Sequence, residues 1–225
     1  MDKQYGLQIA AQIAEQDYLR FDRSISTQPG VLHDFREALL EKGFQFRYLH
    51  ETLQYMPKEK DIIVPLVLQY FQYATEIEDK KTLLPWLYYN GLYQAVPALI
   101  HDFETCSAEG RLLYGWELGD TLYKIRCKQY TKEYMEIIQK KEFDISRQMV
   151  VMLLGTIKCY ESAPVLFSLL PDEDIALHVL TALGQVGRLE YIPALETYTH
   201  SSNSARRKGA KLAIERIIKR SAITK

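Results

Sequence analysis

Long apolar runs are missing from this chain. No stretch approaches the ~20 residues needed to span a bilayer, so the sequence carries no membrane-spanning signal. Cysteine is scarce. Cys106, Cys127 and Cys159 are widely spaced, form no CxxC and cannot all pair within one chain. That excludes a disulfide-stapled scaffold and points to free thiols in a reducing, cytoplasmic setting. Histidine is equally thin: His33, His50, His101, His178 and His200 include no i,i+4 pair, and no cysteine stands at a ligand spacing from any of them. Neither metal nor cofactor is expected. No phosphate loop and no nucleophile motif occurs, which tilts the reading away from an enzyme. The opening residues Met1-Asp2-Lys3-Gln4-Tyr5 are polar and lead into an amphipathic stretch, not an apolar secretion core. The short apolar runs that exist suit helices better than strands.

What is present is apolar and repetitive. Hydrophobic residues make up 47% of the 225, enough for a continuous core and too many for a disordered chain. One phrase recurs, an apolar residue, a proline and two more apolar residues: Val64-Pro65-Leu66-Val67, Val96-Pro97-Ala98-Leu99, Ala163-Pro164-Val165-Leu166 and Ile192-Pro193-Ala194-Leu195. The prolines lie 32, 67 and 29 residues apart, so the middle gap spans two periods. A period near 30 predicts stacked supersecondary units.

Around Pro193 the unit reads as helix, tight turn, helix. Asp172-Glu173-Asp174 signals a start, and Ile175, Ala176, Val179, Leu180, Ala182, Leu183 and Val186 recur at helical spacing. Gly184, Gly187 and Arg188 mark the end. Pro193 then opens a second helix, where its missing N–H is harmless, running to about His200. The same plan predicts helices over Ile145–Ile157 and from Pro164, over Arg111–Ile125 and from Thr131, and over Lys81–Tyr89 and from Pro97. Lys132 stands in the proline position of the unit that lacks one. Pro65 is expected to open another second helix. Ser204–Arg220 reads as a first helix with no partner. Before the array, residues 4–22, Val31–Glu41 and Phe46–Met56 read as three helices, with a loop over Ser24–Gly30.

These residues resemble HEAT repeats, specifically the short bacterial kind also found in phycobilin lyases. Leu183-Gly184-Gln185-Val186-Gly187 followed by Ile192-Pro193-Ala194-Leu195 tracks the family pattern best, and Leu153-Leu154-Gly155-Thr156-Ile157 with Ala163-Pro164 is a second copy. Arg111 and Arg147 each stand eight residues before a Leu-Gly glycine, where the family tends to place an arginine; Ala176 departs from this. The resemblance is clearest from about 143 to 217, looser from 58 to 142 and weak before that. It implies a curved stack of helix pairs whose second helices line the concave side, usually as a recognition surface. It implies no particular chemistry. Deoxyhypusine hydroxylases, a HEAT-repeat family, build a di-iron site from several His-Glu dipeptides; this chain has one, His50-Glu51.

Three groups are candidates for function. Tyr114-Gly115-Trp116-Glu117-Leu118-Gly119-Asp120 places Trp116, Glu117 and Asp120 on one helix face, beside two glycines that suggest close backbone approach. An aromatic beside carboxylates binds a cation or an exposed base, as the resemblance to HEAT-like alkylpurine DNA glycosylases implies. The bland alternative puts Trp116 in the core and pairs the acids with Arg147 or Lys124. Aromatics also crowd residues 70–93, with Tyr70 and Tyr73 on a second helix expected to face the groove, or else filling interhelix space. The third group is the basic end. Residues 203–225, including Arg206, Arg207 and Lys211, carry +7, leaving −8 on the rest of the chain. It is either a solubilising cap, with Ala210, Ala213, Ile214, Ile217 and Ile218 docked, or a docking site for an acidic partner or phosphate. Cys127 and Cys159 are equivalent by repeat and read as small apolar residues beneath turns, with Arg126 and Lys128 the only hint of a reactive thiol.

The expected architecture is an all-α, right-handed α-α superhelix, a HEAT-like solenoid of about five helical pairs over 58–225, with an irregular N-terminal cap over 1–57. The expected function is a non-catalytic adaptor or scaffold recognising a protein or peptide on its concave face. The alternatives are a nucleic-acid module or HEAT-like alkylpurine DNA glycosylase, disfavoured by the acidic body, and, more weakly, bilin or tetrapyrrole handling. No membrane partner is expected.

Overall fold

The computed structural model describes residues 25, 28–106 and 111–223. Among these, every regular element is helical and none is a strand, and the helices pair in succession as an α–α solenoid. Two compact units part between Trp86 and Leu87. The 57/58 boundary expected from the repeat pattern falls just ahead of Glu59, whose non-helical φ −114 and ψ 20 kink the Met56–Tyr73 segment. The helix expected over 4–22 lies outside the described residues.

In the first unit, α1 (Val31–Glu41) buries Leu32, Phe35 and Leu39 along one stripe. It ends in a Schellman turn: the Phe44 N–H reaches Leu39 O at 3.2 Å and the Gly43 N–H reaches Leu40 O at 2.9 Å. Gly43 takes φ +88, a conformation glycine adopts without penalty. The α-helix expected over 46–56 is instead a 3-10 turn, Leu49–Tyr55, followed by α2 (Met56–Tyr73). Two features force this. The Glu51 carboxylate accepts the N–H groups of Arg47 and Tyr48 at 2.8 and 3.2 Å, fixing a start at Leu49. Those bonds hold its carboxyl below the ordinary range. Pro57 then has no N–H with which to continue an α-ladder, and suits the first turn of a new helix. Pro65 does not open a helix as expected; it lies inside α2, on the exposed side where the freed Asp61 carbonyl meets water. α3 spans Ile77–Leu87. Its Trp86 is core: the indole N–H donates to Thr52 Oγ1 at 2.9 Å, and the ring stands edge-on to Phe35 at 5.5 Å.

The second unit repeats one design. Helices α4 (Val96–Thr105), α8 (Ala163–Ser168) and α10 (Ile192–Tyr198) are second helices, each entered through a three-residue 3-10 turn with a proline in the first turn. α6 (Thr131–Gln139), which has Lys132 in place of proline, has no such turn. The first helices are α5 (Trp116–Ile125), α7 (Gln148–Thr156), α9 (Ala176–Val186) and α11 (Ser204–Ile223). Neighbouring first helices pack directly on one another, and each second helix packs on the first helix that comes next. The start expected at Asp172-Glu173-Asp174 is a turn ahead of α9: Asp172 caps it by accepting the Asp174 N–H at 3.2 Å.

Glycine sets the spacing of the first-helix layer. A Cβ on Gly155 would stand 2.8 Å from Ala182 Cα, and one on Gly184 would stand 3.2 Å from Ala213 Cα. Each glycine thus meets the backbone of the next first helix. Arginines staple the same joints. Arg147 is 0% exposed. Its Nε donates to Asp144 O at 3.0 Å, Nη1 to Ile138 O at 3.0 Å and Nη2 to Asp172 Oδ2 at 2.8 Å. Arg220 of α11 reaches back to the end of α9, donating to the carbonyls of Gly184, Gln185 and Gly187. Those carbonyls have no partner within their own helix, and the guanidinium also meets the negative end of the helix dipole. On α11 the docked arc is narrower than expected: Ala210, Ala213 and Ile217 are buried, while Ile218 is 51% exposed, with no described helix packed over it.

Two measurements test these joints. Gly→Ala normally gains about 1 kcal/mol in a helix. In urea denaturation Gly155→Ala is expected instead to lose about 1–3 kcal/mol by overpacking, while Gly209→Ala, whose Cβ meets only ordinary contacts at 3.4 Å and beyond, keeps the usual gain. Arg147→Met is expected to cost about 3–5 kcal/mol, since the half-buried Asp172 carboxylate and two backbone carbonyls lose their donor together. Arg147→Lys recovers little of that loss, because one ammonium cannot reach three acceptors held in a guanidinium's geometry.

Candidate functional site

The glycine contacts fix which way each first helix points. With the glycine aimed at the next helix, residues three before and one after it project outward from the layer, by the 100° rotation per residue. These outward positions are Trp116 and Asp120 on α5, Met152 and Thr156 on α7, and Thr181 and Gln185 on α9. On α11, where Ala213 receives Gly184 as Ala182 receives Gly155, they are Leu212 and Arg216. None of the eight is fully buried. The row is aromatic and acidic at α5 and cationic at α11.

The α5 end is held from behind. A π turn, Arg111–Gly115, leads into the helix. Within it Tyr114 is buried and donates a short hydrogen bond to the buried Asp102 carboxylate of α4. Burial, then that bond, pushes its hydroxyl far above the ordinary tyrosine range. Trp116, next but one, is 37% exposed, so it is not the core residue of the bland alternative. Asp120 lies near Tyr88, whose hydroxyl is pushed up by burial and then by this carboxylate. Lys124 lies 5.4 Å above the Tyr88 ring. The expected pairing of Glu117 or Asp120 with Arg147 does not form, because Arg147 faces Asp172. Glu117 is half-buried, and its backbone carbonyl accepts from Thr121 at 2.8 Å.

The basic end divides by use. Arg206 pairs with Glu173 at 3.1 Å, and Arg207 donates to Ser201 O and Ser202 O, both at 2.8 Å. Both guanidiniums therefore brace the turn into α11. Lys211 lies on the adjoining strip of α11, beside Ile214, Glu215, Ile218 and Lys219. Facing α9 instead, Lys158, Tyr160, Gln185, Arg216, Lys219 and Ile223 line an open groove of about 350 Å³, with Arg220 at its base. Two other first helices, α7 and α9, stand between these cations and Trp116.

In the first unit, Tyr70 lies half-buried between Phe35 at 5.7 Å and Tyr73 at 6.2 Å, with burial pushing its hydroxyl up. Tyr73 is exposed. The single His-Glu dipeptide is structural, since Glu51 caps the turn and His50 stacks on Tyr48. Cys127 and Cys159 are buried, and burial pushes the Cys159 thiol up, away from reactivity. Among the described residues no three His, Cys, Asp or Glu side chains gather as a metal set, and no helix is long and apolar enough to cross a membrane.

The sequence reading missed Lys158, Tyr160 and Gln185, and took Tyr88, Arg216 and Lys219 only as members of the aromatic crowd and of the basic end. A signal for two of them was present: Gln185 occupies the position after the glycine that Asp120 occupies in α5, and Arg216 is its equivalent on α11.

A layer of short paired helices joined by glycine contacts, with an outward row of mixed polarity and no assembled catalytic set among the described residues, defines an α–α repeat module. Residues 131–215, from α6 into α11, match the family model described as HEAT repeats. No curated protein and no solved structure matches the chain.

The Tyr114 bond carries a pH signature. The folded hydroxyl titrates far above the unfolded value near 10, so its stabilisation is complete below pH ~10 and is lost as pH rises beyond it. Tyr114→Phe is expected to lower neutral-pH stability by about 1–3 kcal/mol through loss of the donor to Asp102. It should also flatten the alkaline limb of a stability–pH curve followed by circular dichroism.

Proposed function

We propose that this chain is a non-catalytic HEAT-repeat binding module, an adaptor or scaffold that recognises a protein partner through the outward row of its first helices. The observation that carries this reading is Trp116, an indole held partly in solvent one helical turn before Asp120. Tryptophan and tyrosine are the side chains that most often dominate protein interfaces. HEAT repeats commonly serve as protein-interaction scaffolds, and repeat arrays gain affinity from extended surfaces. The second-helix wall expected to form the groove offers less: α8 and α10 are six and seven residues long, and Pro164 and Pro193 are exposed on them. Nucleic acid is disfavoured, because a polyanion laid along the row would meet Glu117 and Asp120 at one end.

The test is site-specific photocrosslinking from position 116 in the source cell, followed by affinity measurement with the protein recovered. The expected result is a defined protein adduct whose affinity drops by about 2 kcal/mol or more, roughly thirtyfold, in Trp116→Ala, with little change in melting temperature. Adducts to nucleic acid alone, or a partner bound equally well by Trp116→Ala, would remove the reading.

A further inference from the structure

We propose that the groove between α9 and α11 is a docking site for an acidic peptide segment with one apolar anchor residue. This rests on the reading of the chain as a protein-binding module and names the chemistry of the partner. Lys158, Arg216 and Lys219 line the groove and are exposed, and no acidic side chain among the described residues lines it. None of the three has an ion pair among the described residues, in contrast to Arg206. The one acid of α11, Glu215, does not line the groove; it lies on the adjoining strip with Lys211, and Lys219 borders both. Tyr160 and Ile223, 46% and 77% exposed, add an aromatic and an aliphatic wall. A purely ionic site has no use for two exposed apolar walls, which is why the occupant is a peptide with an apolar side chain and not a simple anion.

The base of the groove is rigid. Arg220 is fixed on three carbonyls at the end of α9, and the Arg216 stem packs against Gly184. The two free cations of α11 are therefore carried on a helix tied to its neighbour, which limits the entropy lost on binding.

Lys158 gives an independent observation. It takes φ +57, the left-handed region, at the C′ position of the turn that ends α7. The turn is closed by Lys158 N–H to Gly155 O and Cys159 N–H to Leu154 O, both at 3.0 Å. Glycine is the favoured residue there, and a side chain in that region is disfavoured. The lysine weakens the turn and supplies a cation to the groove. Stability and binding therefore make opposite demands on this one residue.

A uniform polyanion fits less well than a peptide. The cations are confined to one end of the outward row, and the other end carries Glu117 and Asp120. A short acidic segment satisfies the groove without reaching them.

The test is fluorescence anisotropy of the full chain with a labelled peptide of alternating glutamates around one leucine or phenylalanine. The comparison probes are a charge-reversed peptide, the acidic peptide without its anchor, a single-stranded oligonucleotide and inorganic phosphate. The acidic, anchored peptide is expected to bind, more weakly as salt rises. Removing the anchor should weaken it about fivefold and Lys219→Glu about tenfold. Lys158→Gly is expected to raise the melting temperature while weakening the peptide severalfold, a pair of effects that a merely structural lysine would not produce. No saturable binding up to ~1 mM, binding indifferent to both variants, or tighter binding of the oligonucleotide would overturn the proposal. The two readings fail separately. A partner crosslinked from position 116 but indifferent to Lys219→Glu would sink the groove alone. Absence of any such partner would sink the broader reading, while the peptide titration still decides the groove on its own terms.

Discussion

The contact on which the second unit depends is a glycine of one first helix pressed against the backbone of the next. At Gly155 there is no room for even one methyl group beside Ala182, and at Gly184 almost none beside Ala213. Close approach of this kind lets every backbone atom on the facing sides find dispersion partners, which individually are small and collectively large. It also fixes rotation. A helix that must turn its glycine toward its neighbour has no freedom left in where its other side chains point. The arginine staples act on the same joints from the side. Arg147 spans α6, the turn before α7 and the turn before α9, while Arg220 ties α11 to the end of α9. Buried cations of this sort are weak evidence for net stability, but each meets several acceptors in one geometry, which selects one register over its neighbours.

That constraint dictates the surface. Once the facing positions are set, the outward positions form a row whose members are spaced by helix packing and not by loops. The row changes character along its length, from Trp116 and Asp120 to Leu212 and Arg216. Charge patterns of this kind orient a partner and exclude wrong ones more than they add raw affinity. A repeat array is suited to it, because each unit contributes its two outward residues without altering the next joint.

Much of this was legible from residues alone, for identifiable reasons. Pro97, Pro164 and Pro193 mark helix starts because proline's missing N–H and fixed φ are local properties. The same property misleads at Pro65, where an exposed position inside a helix tolerates the lost bond. The Leu-Gly steps announce close packing, but their partners, Ala182 and Ala213, lie about one repeat away and are not visible in any local window. Arg147 was legible as a position and not as a contact. The sequence offers Glu117, Asp120 and Asp172 equally, and only the turn ahead of α9 brings Asp172 within reach. Arg206 and Arg207 read as free cations because charge can be counted, whereas the turn carbonyls and Glu173 that engage them are set by the fold. On α11, Ile218 shares the periodicity of the docked residues yet stays exposed, because periodicity does not reveal which sides of a helix meet a neighbour.

The irregular unit explains why an indole stands in solvent. Between α5 and α7 the glycine contact differs: a Cβ on Gly119 would meet Ser146 O and Met149 Cβ, not an alanine. Just before α5 the backbone makes a π turn, which accommodates one residue more than an α-helix does and so turns the following face by about 100°. Tyr114, anchored on Asp102, fixes that turn. The outcome is that Trp116 is carried to the outward side by backbone geometry that the core itself maintains. A polar residue at position 116 would serve the fold as well, since a tryptophan left partly in water forfeits much of its burial energy. Under the proposed function, the side chain answers to a partner and not to the core.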